Sequence, residues 1–168
     1  VDVRVAAFGL PGTDASRAAR DAWAGPVKAL EDADDAPVLV DALFGTGLAR
    51  PLGDTLAKNL ARLTKRRPFT VAVDVPSGVG SDDGVNLGAV PAHLTLALGA
   101  LKPAHVLQPA AALCGIVKVA DIGVTAESKV SLLTPPHIQE PGPESHKYRR
   151  GLVGIIGGEM PGAGALSA

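Results

Sequence analysis

A single cysteine, Cys114, means that no internal disulfide can form, and a reducing, cytoplasmic compartment is the expectation. The neighbours Ala111, Ala112, Leu113 and Ile116 are apolar, which favours an inert core thiol over a nucleophile. Aromatic residues make up only 3% of the chain, although 46% of it is hydrophobic. The core must therefore be built from Val, Leu, Ala and Ile, which suits buried parallel strands and alanine-lined helices. The formal net charge is −1, so no global field draws the chain to nucleic acid or to an anionic membrane. No apolar run reaches the length of a membrane span, and no signal peptide is visible. There is no Gly-x-Ser-x-Gly elbow and no Walker A lysine motif, which sets aside those two routes to hydrolysis and nucleotide binding. The histidines, His93, His105, His137 and His146, have no metal-ligand spacing. Asp82 and Asp83 lack a histidine or cysteine beside them, and Gly84 makes theirs a plain turn.

Against these absences stands the stretch VLVDALFGTGLARP, from Val38 to Pro51. Pro37, Val38, Leu39 and Val40 read as a buried strand, too short for a helix. Asp41 falls at its C-terminal end, and Gly45 and Gly47 bracket Thr46 in the loop that follows. Beyond Pro51, Leu52, Leu56, Leu60 and Leu63 recur at helical spacing with Lys58 and Arg62 off that face, predicting a helix from Leu52 to about Thr64. A strand, a Gly-rich loop and a helix N-terminus together can hold a phosphate, because bare backbone N–H groups approach it and the dipole favours its charge. Arg50 adds a charge-assisted contact. The pattern recurs in FTVAVDVPSG, where Asp74 ends the strand that starts at Phe69 and Ser77 sits in the turn. Two acids at the ends of strands in one βα series belong on the same edge of a parallel sheet, where ligands bind. Either acid alone also reads as a helix cap or a loop-closing acceptor.

Elsewhere the chain predicts a strand at Val1–Phe8 and a helix capped by Thr13 or Asp14, with Ala15, Ala18, Ala19 and Ala22 along one side. Trp23 is assigned to packing, and the acidic run Glu31–Asp35 to a solvated loop. Lys65, Arg66 and Arg67 close the second helix, where cations complement its dipole. Pro76–Gly88 reads as a polar loop long enough to fold over a ligand. Leu94–Leu98 and Ile116–Ala120 read as further strands, with Lys102 between them either meeting a phosphate or solvated. From Thr134 to Arg150 the proline-rich composition reads as an interdomain linker, and Leu152–Gly158 as a new strand with a glycine turn. A chain that opens inside a strand is expected to be incomplete at its N-terminus, which would expose a sheet edge and apolar surface.

Three segments, DALFGTGLARP (Asp41–Pro51), VAVDVPSG (Val71–Gly78) and LKPAHVLQPAAALCGIVKVADIG (Leu101–Gly123), occur in that order and closely resemble the NAD(P)H-hydrate epimerase family. The resemblance covers roughly Val1 to Val124. From His146 onward the chain resembles the opening of an NAD(P)H-hydrate dehydratase domain, often fused to the epimerase in bacteria. The resemblance implies an epimerase domain over 1–128, a linker over 129–150 and the start of a dehydratase over 151–168. The implied fold is a Rossmann-like three-layer α/β/α sandwich with a mainly parallel sheet, N-terminally incomplete and followed by the first strand of a ribokinase-like domain. The implied activity interconverts the R and S hydrates of NADH or NADPH at C6, and the dehydratase removes water from the S form using ADP or ATP with Mg2+. Asp41 and Ser77 are implied as ligands of a K+ ion. Gly45, Thr46, Gly47, Leu48, Ala49, Arg50 and Pro51 are implied as the loop around the substrate's phosphates, and Asp74 as the substrate-facing acid. A homo-oligomer is implied, with no nucleic-acid or membrane partner. The chain departs from the family in lacking the Asn-Asn-Gly-Gly-Asp-Gly loop, and in carrying Gly80 where an acid is common. The alternative is a non-catalytic nucleotide-binding or dimerisation module of the same fold. A generic dehydrogenase has no Gly-x-Gly-x-x-Gly to support it.

Overall fold

A computed structural model describes residues 2–125, 127–135, 137, 140–146, 148 and 154. The chain divides into two compact units, Val1–Glu127 and Ser128–Ala168. In the first unit, β1 (Val5–Ala7) and β2 (Val27–Ala29) pair in parallel as a small separate sheet. Between them runs α1 (Asp14–Ala22), capped by Thr13, whose hydroxyl accepts the Ser16 N–H at 3.2 Å while Ser16 Oγ accepts the Thr13 N–H at 3.0 Å. No residue of α1 is buried, so its alanine side lies exposed. Trp23 ends this helix with its indole against Gly25 and its N–H donating to the Pro26 carbonyl at 3.3 Å, a packing role as expected.

The main sheet contains β3 (Val38–Asp41), β4 (Phe69–Val73), β5 (Leu94–Leu98) and β6 (Ile116–Ala120), parallel throughout and in sequence order. The register turns Leu39, Asp41, Thr70, Ala72, Thr95 and Ala97 to one face. Between β3 and β4 runs α2 (Asp54–Thr64), whose Leu56, Leu60 and Leu63 pack with Leu39, Leu43 and Phe44. Each such leucine contributes roughly 1.5–3 kcal/mol by burial. Arg62, off the packed face, donates to the carbonyls of Ala33 and Leu30 and so fastens the acidic stretch. As expected of a solvated stretch, Glu31, Asp32, Asp34 and Asp35 are exposed, while Leu30, just before them, is buried at the start of a short 3-10 turn, Leu30–Asp32. Arg66, in the basic cluster, pairs with Asp35 at 3.0 Å.

The opposite face of the sheet exposes Val38, Val40, Phe69 and Ile116. Among the described residues the main sheet therefore has one covered face, and the third layer of the expected sandwich is not seen. No hydrogen bond joins β1 to β3, and a cleft of about 540 Å³ lined by Val3, Val5, Val38 and Val40 lies between them.

The loop expected at Pro76–Gly88 forms, with its two halves in different surroundings: Val75–Ser81 is buried, whereas Asp82, Asp83, Val85, Asn86 and Gly88 are exposed. Val79 bridges Asn86 in antiparallel fashion, and the Leu87 N–H donates to the Gly78 carbonyl at 2.7 Å. The cause is the pair Val75 and Val79, which pack with Ala104 and Ala110 and pull the polar residues between them inward. No described helix is long and apolar enough to cross a membrane. Among the described residues of 128–154 no helix or strand forms, and the new strand expected at Leu152–Gly158 lies outside the described residues apart from Gly154.

Candidate functional site

The two strand-end acids meet at the carboxyl edge of the sheet, where the register sets Asp41 opposite Ala72, two residues before Asp74. Asp41 is 3% exposed. Its Oδ2 accepts the Ser77 N–H at 2.8 Å, and its Oδ1 accepts the Ser77 hydroxyl at 2.6 Å. Ser77 Oγ in turn accepts the Phe44 N–H at 2.9 Å. Asp41 thus closes the loops after β3 and β4 onto each other, and a carboxylate with these partners tolerates burial. The same cluster brings Asp41 Oδ1, Ser77 Oγ and the Phe44 carbonyl together, the last two 3.4 Å apart. This all-oxygen set suits a hard cation. Among the described residues no group of three or more His, Cys, Asp or Glu is arranged to hold a metal ion.

Asp74 is held differently. Its backbone is left-handed, with φ of 72°, a region that few residues other than Gly, Asn and Asp tolerate. Oδ1 accepts the Leu98 N–H at 3.1 Å and is also bonded by the Lys102 ammonium. The other oxygen, Oδ2, has no hydrogen-bond partner among the described residues. No buried side-chain oxygen there lacks one, so Oδ2 is open to solvent. It faces Gly45, where an added Cβ would lie 3.4 Å from it. One oxygen is anchored and the other is presented to the glycine loop.

That loop surrounds a hollow of about 390 Å³ lined by Phe44 to Arg50. Gly47 takes φ of 97°, and Thr46, Ala49 and Arg50 are exposed. Arg50 pairs with no acid among the described residues. The helix lies further from the loop than the sequence pattern implies: α2 is capped at Gly53, beyond Pro51 and Leu52, and Asp54 occupies its first turn. Asp54 thus already sits at the positive end of the α2 dipole.

Sequence reading missed His105 and left Lys102 undecided. The signal was Pro103: it opens a 3-10 turn, Pro103–His105, that sets residues three apart on one side. Cys114 is fully buried, and burial pushes its thiol pKa up, as its apolar neighbours suggest. A raised pKa leaves less thiolate at a given pH. In the native chain Cys114 should resist a thiol-specific chromogenic reagent at neutral pH and react fully once denatured; rapid labelling of the native form would contradict the burial. A second expectation concerns Gly45, whose lack of a side chain leaves Asp74 Oδ2 uncovered. Gly45→Val should cover that oxygen and leave the melting curve unchanged, as read from thermal denaturation.

A parallel sheet with two acids and a glycine loop at its carboxyl edge places the chain among α/β domains, in which ligands generally bind at that edge. The chain belongs to the family described as YjeF-related protein N-terminus, whose model matches residues 12–104, more than half its length. It is 35% identical over 148 residues to the bifunctional NAD(P)H-hydrate repair enzyme Nnr of Archaeoglobus fulgidus, covering 85% of this chain and 31% of that protein. The proteins of the same name from Mycobacterium tuberculosis strain H37Rv and a Synechocystis species are 34% and 31% identical, over 77% and 86% of this chain and 28% and 30% of theirs. The chain thus spans under a third of the length of these relatives.

Proposed function

We propose that the site repairs hydrated nicotinamide cofactors by epimerising the R and S forms of NADH or NADPH hydrate at C6. The observation that carries this reading is Asp74, with Oδ1 anchored and Oδ2 presented to the Gly45–Pro51 loop. The relatives' names supply the substrate. The C6 hydroxyl lies beside the ring nitrogen. In a ring-opening route Asp74 Oδ2 takes the hydroxyl proton and returns it to the nitrogen as the C6–N1 bond breaks and C6 becomes a carbonyl carbon. Rotation about C5–C6 presents the opposite face, and closure by the reverse steps inverts C6. A carboxyl group so placed is worth roughly 10²–10⁴-fold.

In this reading the loop N–H groups and Arg50 hold the substrate's phosphates. The Asp41 carboxylate, the Ser77 hydroxyl and the Phe44 carbonyl hold a K+ ion, which when bound supplies a fixed positive charge beside the loop. Fusion to a ribokinase-like dehydratase using ADP or ATP with Mg2+ belongs to the same reading, supported by the word bifunctional in the relatives' names. A homo-oligomer in the cytoplasm completes it; the exposed apolar sheet face at Val40 and Ile116 supports self-association.

The test is the rate of R-to-S conversion, followed by chromatography in potassium buffer against the unaided reaction. Protein-dependent acceleration is expected. Binding of the hydrate without acceleration would leave a nucleotide-binding module.

A further inference from the structure

Two residues outside the loop and outside the cation cluster converge on Asp74. The Lys102 ammonium bonds Asp74 Oδ1 and donates to the Leu98 carbonyl at 2.7 Å. The lysine and aspartate side chains are 17% and 12% exposed, so the pair is largely withdrawn from solvent screening. His105, 6% exposed, works on the backbone. Its Nδ1 accepts the Lys102 N–H at 2.9 Å. That leaves the ring proton on Nε2, which donates to the Asp74 carbonyl at 2.8 Å. The Asp74 N–H is taken by the Leu96 carbonyl at 2.8 Å. A residue in a left-handed backbone state is thereby fixed at its N–H, its carbonyl and one carboxylate oxygen. A carboxylate needed only to satisfy the end of β5 would require the Leu98 N–H alone. The added lysine and histidine restrict rotation and leave a single oxygen directed at the Gly45 loop.

We propose that Lys102 and His105 form a clamp that positions Asp74, so that Oδ2 alone meets the reacting hydroxyl. This rests on the epimerase reading. Neither residue needs to touch the substrate; both act through Asp74. Freed from Lys102, the carboxylate can turn about its side-chain bonds, and misplacement of a reacting group by about 1 Å costs on the order of 10²-fold.

The test uses Lys102→Met and Lys102→Arg in the catalytically competent protein, with kcat and KM for the hydrate, the Tm and the amide resonance of Leu98 as readouts. Lys102→Met should lower kcat about 10²-fold, leave KM and Tm near wild-type, and shift the Leu98 amide, whose acceptor is no longer fixed. Lys102→Arg should recover part of kcat, because it restores a cation beside Oδ1. Should Lys102→Met not fold, Lys102→Gln takes its place with the same expectations. Wild-type kcat in the neutral variant, or a loss that lies wholly in KM, overturns the clamp. Wild-type turnover in Asp74→Asn would instead overturn the acid–base reading itself, so the two failures are distinguishable.

Discussion

Asp74→Asn is expected to abolish R-to-S conversion while leaving the fold in place. The amide keeps the size of the carboxylate, and its carbonyl can still accept the Leu98 N–H that now binds Oδ1 at 3.1 Å. Asn is also among the few residues that tolerate left-handed backbone, so φ of 72° carries little added cost. What is lost is a group at Oδ2 able to take and return a proton. The rate should fall by roughly 10²–10⁴-fold toward the unaided reaction. Binding of the hydrate should persist, because the loop from Gly45 to Pro51 and Arg50 are untouched. Initial rates together with a calorimetric titration separate the two effects, and a variant that turns over at the wild-type rate would remove Asp74 from the chemistry.

Gly78→Ala is expected to destabilise the domain strongly. Gly78 has φ of 101°, outside the range an alanine adopts without strain. The space is also filled: a Cβ there would lie 2.5 Å from the Ala89 nitrogen and 2.8 Å from its Cα. Both neighbours are backbone, so no side chain can swing aside. Strain of this kind costs about 1–3 kcal/mol before any displacement is counted, and displacement adds to it. Loss of about 3 kcal/mol corresponds to a fall in Tm on the order of 10 °C for a domain of this size. Gly12→Ala is the control, since nothing lies within 4 Å of a Cβ at that position. Thermal denaturation of the two variants should differ by nearly the whole effect. Because Ser77 precedes Gly78, the same variant should also loosen the hydrogen bonds between Ser77 and Asp41.

The sheet was legible where apolar strands end in an acid or a glycine turn. Leu94–Leu98 and Ile116–Ala120 fall where sequence places them, and Asp41 and Asp74 do lie on one edge. The helix built on Leu56, Leu60 and Leu63 was legible because its spacing is regular and its face is buried. β2 was not, since Val27–Ala29 offers too few residues to set a period. In Pro76–Gly88 the loop was legible but the burial of its first half was not, because its polar residues outnumber the two valines that fix it, and burial there follows partners, Ala104 and Ala110, remote in sequence. At the site, sequence supplied both acids, Ser77 and the loop. It could not show that Ser77 bonds both oxygens of Asp41 while Asp74 keeps one oxygen free, since that depends on hydrogen bonds between residues up to 36 positions apart. For His105 the only sequence signal was Pro103, which opens its turn; its partner at Asp74 is a backbone carbonyl, which no side-chain motif reports.

The measurement that bears most directly on this account is a titration of NADPH hydrate into the isotope-labelled chain, followed by amide resonances in potassium buffer. The expected result is a single set of shifts at the Gly45–Arg50 loop, at Ser77, and at Leu98, whose N–H reports on Asp74. Shifts confined to another surface, or none at concentrations that saturate the longer relatives, would contradict a hydrate site at the carboxyl edge of this sheet.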